Sequence, residues 1–577
     1  MNPLRGSIER ALFIGLLLVH ALMLSWTSFR HSPVSDEMAA LAAGIEHWRT
    51  GRFFLYNVNP PLVRLVASLP YTCVTDVEPF HYSEEPRNRP AYSLGRQVVV
   101  QQGDFGQRVF FFARFVCIPF SMLCAYVCRI WARSIAGPSA GLLAALLWCS
   151  SPMALAHGAM ITTDVAASAF GTLTAWSLWQ WSREFTIERA LFTALSLSIC
   201  MAIKVTMIVL FPLCILVVAL SWLSRRALPY REIFCKQIPL ILLSPLLFLN
   251  LIYGFEGSFQ KLGDYQFVSH ALGGQATQAG NRFQDSYLGQ VPVPLPKHFV
   301  TGMDVQKMDF EGGIYWSYLA GQWSQRGWWY YYLYGLAVKT PIGTLLLLGI
   351  AVCSMYRVKT PAWCMYWLIL PPVLVFVLAS SQTGFSHHLR YILPCYPFAM
   401  VAIAVAVTDA HAYPLKRQFC TLCVIWSVAS SVFCFPHGIA YFNEIVGGPL
   451  NGGKHMLVSN LDWGQDYIFA KNWVQRNIGD DTYHVSIDVN FLQPADGGLI
   501  GHSVPAASEV LSGQRSLTPG WYLINVGRLR NIGDAHAYLL SLKPKAHAGY
   551  SINMYYLDES AIDMLDQSLH KAETNKR

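Results

Sequence analysis

The sequence predicts a mainly α-helical bundle that crosses a membrane about eleven times and carries a small α/β domain at its C-terminal end. Three observations lead there. Of 577 residues, 53% are hydrophobic and only 13% charged, whereas a soluble domain carries about 25% charge. Apolar runs of membrane-spanning length recur along residues 1–436. Beyond residue 437 those runs give way to short alternating segments of strand and helix character.

The expected spans fall near 11–29, 109–128, 138–156, 164–182, 188–203, 205–223, 238–254, 330–354, 362–380, 390–408 and 418–436. Basic residues cluster in alternate gaps, at Arg5 and Arg10, Arg129 and Arg133, Arg183 and Arg189, Arg225 and Arg226, Arg357 and Lys359, and Lys416 and Arg417. The gaps 157–163 and 381–389 contain neither Lys nor Arg. That asymmetry predicts a cytoplasmic N-terminus. Because Arg183/Arg189 and Arg225/Arg226 fall on one side, the stretch 188–223 must cross twice. The first run lacks a small-residue cleavage site and is followed by further spans, so it reads as an anchor. The net charge of +8 resides with the membrane part and is no nucleic-acid footprint.

This orientation leaves 30–108, 255–329 and 437–577 outside the cytoplasm, and loops so long usually carry function. In the first of them Met38, Leu41, Ala42, Ile45 and Trp48 recur at helical spacing. Ser35 is the expected N-cap and Gly51 the stop, with the helix lying at the membrane interface. Asp36 and Glu37 occupy its first turn. Carboxylates there suit the helix dipole, so they are either simple helix-start acids or chemistry. The domain 437–577 is expected to hold a helix near 464–477, a strand at 483–489, a short helix near 505–512 and a strand at 520–526. A helix near 534–542, an extended 549–557 and a last amphipathic helix follow, forming a parallel sheet. No phosphate loop or nucleophile elbow follows any of these strands.

Most of the fourteen cysteines, including Cys117, Cys124, Cys128, Cys214 and Cys420, lie in apolar runs and read as small hydrophobes. Charge at the outer edge of a span is costly unless paired or functional. It occurs at Asp36/Glu37, at Asp164, at Lys204, and in "HHLRY" with His387, His388 and Arg390. Acids and bases converging on one face suit a lipid-linked phosphate. Arg390 could grip that phosphate bidentately and Lys339 as a point charge. Asp36 could take a proton from an incoming hydroxyl or amine.

Six segments in order carry a resemblance: "DEMAALAAGIEHWRTGRF…NPPL" (36–62), "LAHGAMITTD" (155–164), "AIKVTMIVLFP" (202–212), "GWWYYYLYGLAVKTP" (327–341), "HHLRYILPCYPF" (387–398) and "YFNEIVGGPLNGGKHMLVSNLDWGQD" (441–466). The chain resembles GT-C-fold glycosyltransferases of the dolichyl-phosphate-mannose protein mannosyltransferase-like group, which includes the lipid A aminoarabinose transferases. The resemblance implies inverting transfer of a sugar from a polyprenyl-phosphate donor on the extracytoplasmic face of the cell (inner) membrane. It places Asp36, with Glu37 beside it, as the catalytic acids. It matches Asp164 to a second acidic motif and Lys204, Lys339 and Arg390 to phosphate-handling basic positions. His387 and His388 depart from the family's pattern; with Tyr391 and Asn59 they are further expected substrate contacts. The lumenal repeat domain of the eukaryotic mannosyltransferases is absent, so the acceptor stays open, and "SNLDWGQD" has no assigned role.

The competing class is a transporter or flippase for a lipid-linked sugar. Such a protein should show inverted repeats and mid-membrane charges, and neither is evident in the sequence. No cofactor is expected, and no DxD motif marks a divalent metal site in the first loop. The expected partners are the donor, membrane lipid and an unknown acceptor, with no nucleic acid.

Overall fold

The computed structural model describes residues 3–72, 80–85, 88–101, 107–224, 230–274, 279–311, 313–354, 362–409, 414–487, 493–533 and 535–574. The basic clusters Arg225/Arg226 and Arg357/Lys359, and the expected strand end at 488–489, lie outside them. The chain is mainly helical, and every apolar run expected as a span is helix. The series begins with Pro3–Arg30, Gln107–Phe115 continuing as Ile118–Ala136, Pro138–Cys149, Thr163–Arg183, Ile187–Met201 and Leu210–Ser224. It goes on through Ile238–Ile252, Tyr331–Lys339 with Ile342–Ser354, Ala362–Ser381, Tyr396–Asp409 and Pro414–Cys434.

Among the described residues, five helices are long and apolar enough to cross a membrane, or six if a bent pair counts as one span. The expected eleven therefore do not all appear as unbroken spans. The breaks have local causes. Within the expected span 138–156, Ser151 before Pro152 is extended (φ −65°, ψ 130°) and separates Pro138–Cys149 from Pro152–His157. Pro341 pushes Thr340 out of helical geometry (φ −105°, ψ 136°), and the helices on either side meet at 118°. The cysteines expected in apolar runs, such as Cys117, Cys124 and Cys128, are buried free thiols.

The first-loop helix forms over Ser35–Thr50, and Gly51 ends it in the left-handed region at φ 67°. Two expectations for it need correction. Val34, not Ser35, is the N-cap, and the Glu37 carboxylate accepts the Val34 N–H at 3.0 Å. The helix also does not lay its apolar face on lipid, because Glu37 to His47 are all buried within the protein. Helices Leu62–Thr72 and Pro90–Gln101 enclose it. Both crossings depend on glycine. A Cβ on Gly44 would lie 2.4 Å from the Arg64 carbonyl oxygen, and one on Gly95 2.6 Å from that of Met38. The periodicity had shown one apolar stripe, but Ala and Gly on the other faces let neighbours close around all sides.

In the 255–329 segment, β1 (Ser317–Leu319) and β2 (Gln322–Ser324) form a hairpin. A five-stranded sheet follows, built from β3 (Tyr483–Ser486), β4 (His502–Ser503), β5 (Gly520–Asn525), β6 (Ala546–Ala548) and β7 (Ile552–Leu557), in the order β4-β3-β5-β7-β6. The sheet is mixed, not parallel: β4, β3 and β5 run parallel, while β7 is antiparallel to β5 and β6. A three-residue connection between β6 and β7 can only make a hairpin, and Gly549 takes its turn at φ 56°. β4 and β6 are too short to leave a periodic signal. The expected helices appear as Tyr467–Asn477, Ala507–Leu511, a 3₁₀ turn at Ala537–Ser541 and Glu559–Thr574. The sheet has its own apolar core around Tyr522, Ile524, Leu529, Tyr555 and Leu565.

The three segments expected outside the cytoplasm touch one another. Arg89 donates to Asp309 at 2.6 Å, Arg96 to Asp496 at 2.8 Å, and Trp323 Nε1 to the Arg530 carbonyl at 3.0 Å.

Candidate active site

The paired acids at the start of the first-loop helix have opposite fates. Neighbouring residues on a helix point about 100° apart. Asp36 faces a cleft of about 100 Å³, whereas Glu37 faces the interior and is fully buried. Arg114 donates two N–H groups to Glu37, at 2.8 and 2.5 Å, and Ile161 N–H adds a third contact at 3.1 Å. The rest of the Arg114 guanidinium serves the carbonyls of Ser28, His31 and Ser32. Glu37 thus staples the end of the first helix, the 30–35 turn and the 157–163 connection.

Asp36 accepts hydrogen bonds from Arg390 Nη2 at 2.7 Å and from the Tyr92 hydroxyl at 3.1 Å. Asp164, in the first turn of Thr163–Arg183, accepts from Arg390 Nη1 at 3.0 Å and from Lys204 Nζ at 2.5 Å. Arg390 therefore bridges two carboxylates that stand 128 positions apart in the chain. Its guanidinium lies 4.1 Å from the Trp463 ring centroid and 5.6 Å from that of Tyr391, while Lys204 Nζ lies 5.1 Å from the Tyr391 ring. Both terminal nitrogens of Arg390 are engaged, and Nε–H is buried without a partner. A bidentate phosphate grip, as expected from the sequence, would require it to release a carboxylate.

Of the residues singled out in the sequence, Asp36, Asn59, Asp164, Lys204, His388, Arg390 and Tyr391 line this one cleft. Three do not. Glu37 is held by Arg114. Lys339 spends its ammonium protons on the carbonyls of Ile439, Tyr441 and Asn460, at 2.8, 2.8 and 2.5 Å, and packs over Phe442. The His387 ring turns away, with Nε2 2.8 Å from the Trp316 carbonyl.

Sequence reasoning missed Arg64, Tyr56, Tyr92, Arg89 and Asp309, which also line the cleft. Arg64 gives Nε–H to His47 and Nη1–H to the carbonyls of Asn59 and Pro60, leaving Nη2 unpaired. Burial lowers the Arg64 guanidinium to about 10, so it stays cationic near neutrality. Burial, followed by the nearby Asp36 charge, raises the Tyr56 and Tyr92 phenols, which remain neutral. Burial and then Arg390 hold the His388 imidazole well below its ordinary range. Nothing in spacing marks these residues, because they reach the cleft through the packing of Leu62–Thr72, Pro90–Gln101 and Lys297–Phe310 and the turns beside them.

The "SNLDWGQD" segment now has a physical role. Asn460 accepts the Leu389 N–H at 2.9 Å and donates to the His387 carbonyl at 2.7 Å and the Tyr331 hydroxyl at 2.8 Å. Ser459 Oγ meets His388 Nδ1 at 2.5 Å. Trp463 forms the floor beneath Arg390. The segment is the mould that sets the backbone of residues 387–390.

No family model and no curated protein matches the chain. Solved structures are similar over most of its length. ArnT from Cupriavidus metallidurans in the apo state is 14% identical, covering 94% of this chain and 97% of that one at a TM-score of 0.45. ArnT from Cupriavidus metallidurans bound to undecaprenyl phosphate is 12% identical over the same shares at 0.46. The Archaeoglobus fulgidus oligosaccharyltransferase in its apo form is 11% identical, with 84% of this chain and 63% of that one covered at 0.40.

Proposed function

We propose that the protein is an integral-membrane glycosyltransferase of GT-C type that moves a sugar from a polyprenyl-phosphate donor to an extracytoplasmic acceptor with inversion. The observation that carries the reading is the segment Leu389–Tyr396. On one side Arg390 and Tyr391 line the charged cleft. Immediately along the chain, Ile392, Cys395 and Tyr396 line an apolar pocket of about 370 Å³ between Leu336–Val352, Leu368–Phe376 and Phe398–Ala406. A phosphate joined to a long hydrocarbon has this division of polarity.

Asp36 and Asp164 are offset by Lys204 and Arg390, and Arg89 pairs with Asp309. Arg64 is then the cleft cation with no carboxylate partner among the described residues, so the cleft favours an added anion. The donor phosphate would take the unpaired donors of Arg64 and Arg390 and compete for the Arg390 terminal nitrogens. That competition would free Asp36. Its carboxylate then accepts the proton of the attacking hydroxyl or amine as the new bond to the anomeric carbon forms. The bond from that carbon to phosphate oxygen breaks on the opposite face, and its electron pair leaves with the polyprenyl phosphate. Charge gained by the leaving phosphate is met by fixed cations, which is transition-state stabilisation.

Membranes containing the protein should release polyprenyl phosphate from a labelled polyprenyl-phosphate sugar only when an acceptor is present. Movement of intact donor between leaflets, without cleavage, would instead support a flippase.

A further inference from the structure

We propose that His31, His437 and Asp466 form a divalent metal site of zinc type, separate from the cleft, which ties the first helix to the C-terminal segment. One ligand atom from each of the three lies within 4.8 Å of the others. His437 Nδ1 and Asp466 Oδ1 are already 3.0 Å apart. Metal–nitrogen and metal–oxygen bonds near 2.0–2.1 Å place tetrahedral ligand atoms about 3.3 Å from one another. His31 would have to close by up to about 1.5 Å.

The independent sign is His31 itself. It is 2% exposed, yet neither ring nitrogen has a hydrogen-bond partner. Buried polar atoms are nearly always satisfied, and one that is not calls for an explanation. A metal taking one nitrogen supplies it, leaving a single N–H on an aromatic wall formed by Phe469, 5.7 Å away between ring centroids. Two neutral imidazoles and a carboxylate are borderline donors that suit Zn²⁺ better than Ca²⁺ or Mg²⁺. Three protein ligands leave a fourth position for water.

The surroundings orient the set as metal ligands usually are. Asp466 Oδ2 accepts the N–H groups of Tyr550 and Ser551, at 3.2 and 3.3 Å, and the Gln465 side-chain amide at 3.3 Å. A Cβ on Gly549 would fall 2.1 Å from that oxygen, so the turn between β6 and β7 makes room for the carboxylate. The bound metal would join three segments: the end of Pro3–Arg30, the stretch after Pro414–Cys434, and the start of Tyr467–Asn477, whose Asp466 that turn holds. None of the three ligands lines the cleft. The His31 carbonyl nevertheless receives Arg114 Nη1 at 2.8 Å, and Arg114 holds Glu37 at the start of the Asp36 helix.

The test uses full-length, tag-free protein in lipid nanodiscs, stripped with chelator, dialysed and titrated with Zn²⁺ or Co²⁺ alone. We expect one tightly held metal per chain, visible d–d absorption of tetrahedral Co²⁺, and a rise in Tm with Zn²⁺. His31→Phe keeps the packing and removes the ligand, so it should lose the Co²⁺ spectrum and the Zn²⁺-dependent gain in Tm. Failure of wild-type protein to take up stoichiometric zinc would overturn the site, whatever the variants do. So would unchanged metal content in a folded His31→Phe. Should that variant not fold, His437→Gln retains an amide toward Asp466 and must show the same loss.

Discussion

At the scale of single residues, Asp36 is exposed enough to act and Glu37 is not, with side chains 18% and 0% exposed. We expect Asp36→Asn to abolish most transfer while the protein stays folded. The amide oxygen still accepts from Arg390 and its NH2 can donate to the Tyr92 hydroxyl oxygen, but it cannot take the acceptor proton. Loss of a general base is worth about 10²–10⁴-fold in rate, to be read as turnover of purified mutant beside its Tm. Near-normal turnover would remove Asp36 as the base. Arg390 makes a second case. Arg390→Ala removes the shared partner of part-exposed Asp36 and buried Asp164, which keeps Lys204, and should lower Tm as well as donor affinity. Arg390→Lys retains charge but spans only one carboxylate, so it should fold better than the Ala variant and still bind donor weakly. Calorimetric donor binding and thermal melts on both variants separate the two effects; full donor affinity in Arg390→Lys would make the fork geometry irrelevant.

At the scale of elements, the helix Ser35–Thr50 behaves as a cassette that presents one carboxylate outward and anchors through the next. Glu37→Gln keeps the shape and the Val34 cap but removes the charge opposite a buried Arg114. An uncompensated buried charge costs about 3–5 kcal/mol, so we expect a marked fall in Tm. Activity should fall in step with the folded fraction, because Glu37 does not line the cleft. Turnover per folded molecule, measured well below the melting range, checks this. A large loss there, with Tm unchanged, would return Glu37 to the chemistry. Lys339 and Asn460 act in the same supporting way for the 387–390 segment. Their hydrogen bonds run to backbone carbonyls and amides rather than into the cleft.

At the scale of the whole molecule, charge sorts along the bundle. Glu9 receives Arg129 and Arg133, each at 2.7 Å, at the end of the bundle expected to face the cytoplasm. The first loop and the 255–329 segment line the cleft, and the C-terminal region packs against both. We expect a tag placed at Arg577 to be accessible from outside intact cells or spheroplasts, together with a label introduced in the first loop. A tag reached only after the cytoplasmic face is opened would overturn the orientation and the parity of the spans behind it.

By itself the sequence determined the membrane class, the helical runs, the first-loop helix with its Gly51 stop, and seven residues of the cleft. These rest on local physics, namely hydrophobic length, period, turn chemistry, or charge at an apolar edge, except Asn59 and Tyr391, which no such signal marks. What the tertiary structure alone decided is which charges meet. Asp36 and Glu37 share one sequence signal, yet one points at Arg390 and the other at Arg114. Lys204 and Lys339 both stand in apolar sequence, yet only Lys204 reaches a carboxylate. Arg64, and the grouping of His31 with His437 and Asp466, left no trace in spacing. Contacts between residues hundreds of positions apart depend on how helices cross. In this protein, glycines at Gly44 and Gly95 and breaks such as Pro341 set those crossings.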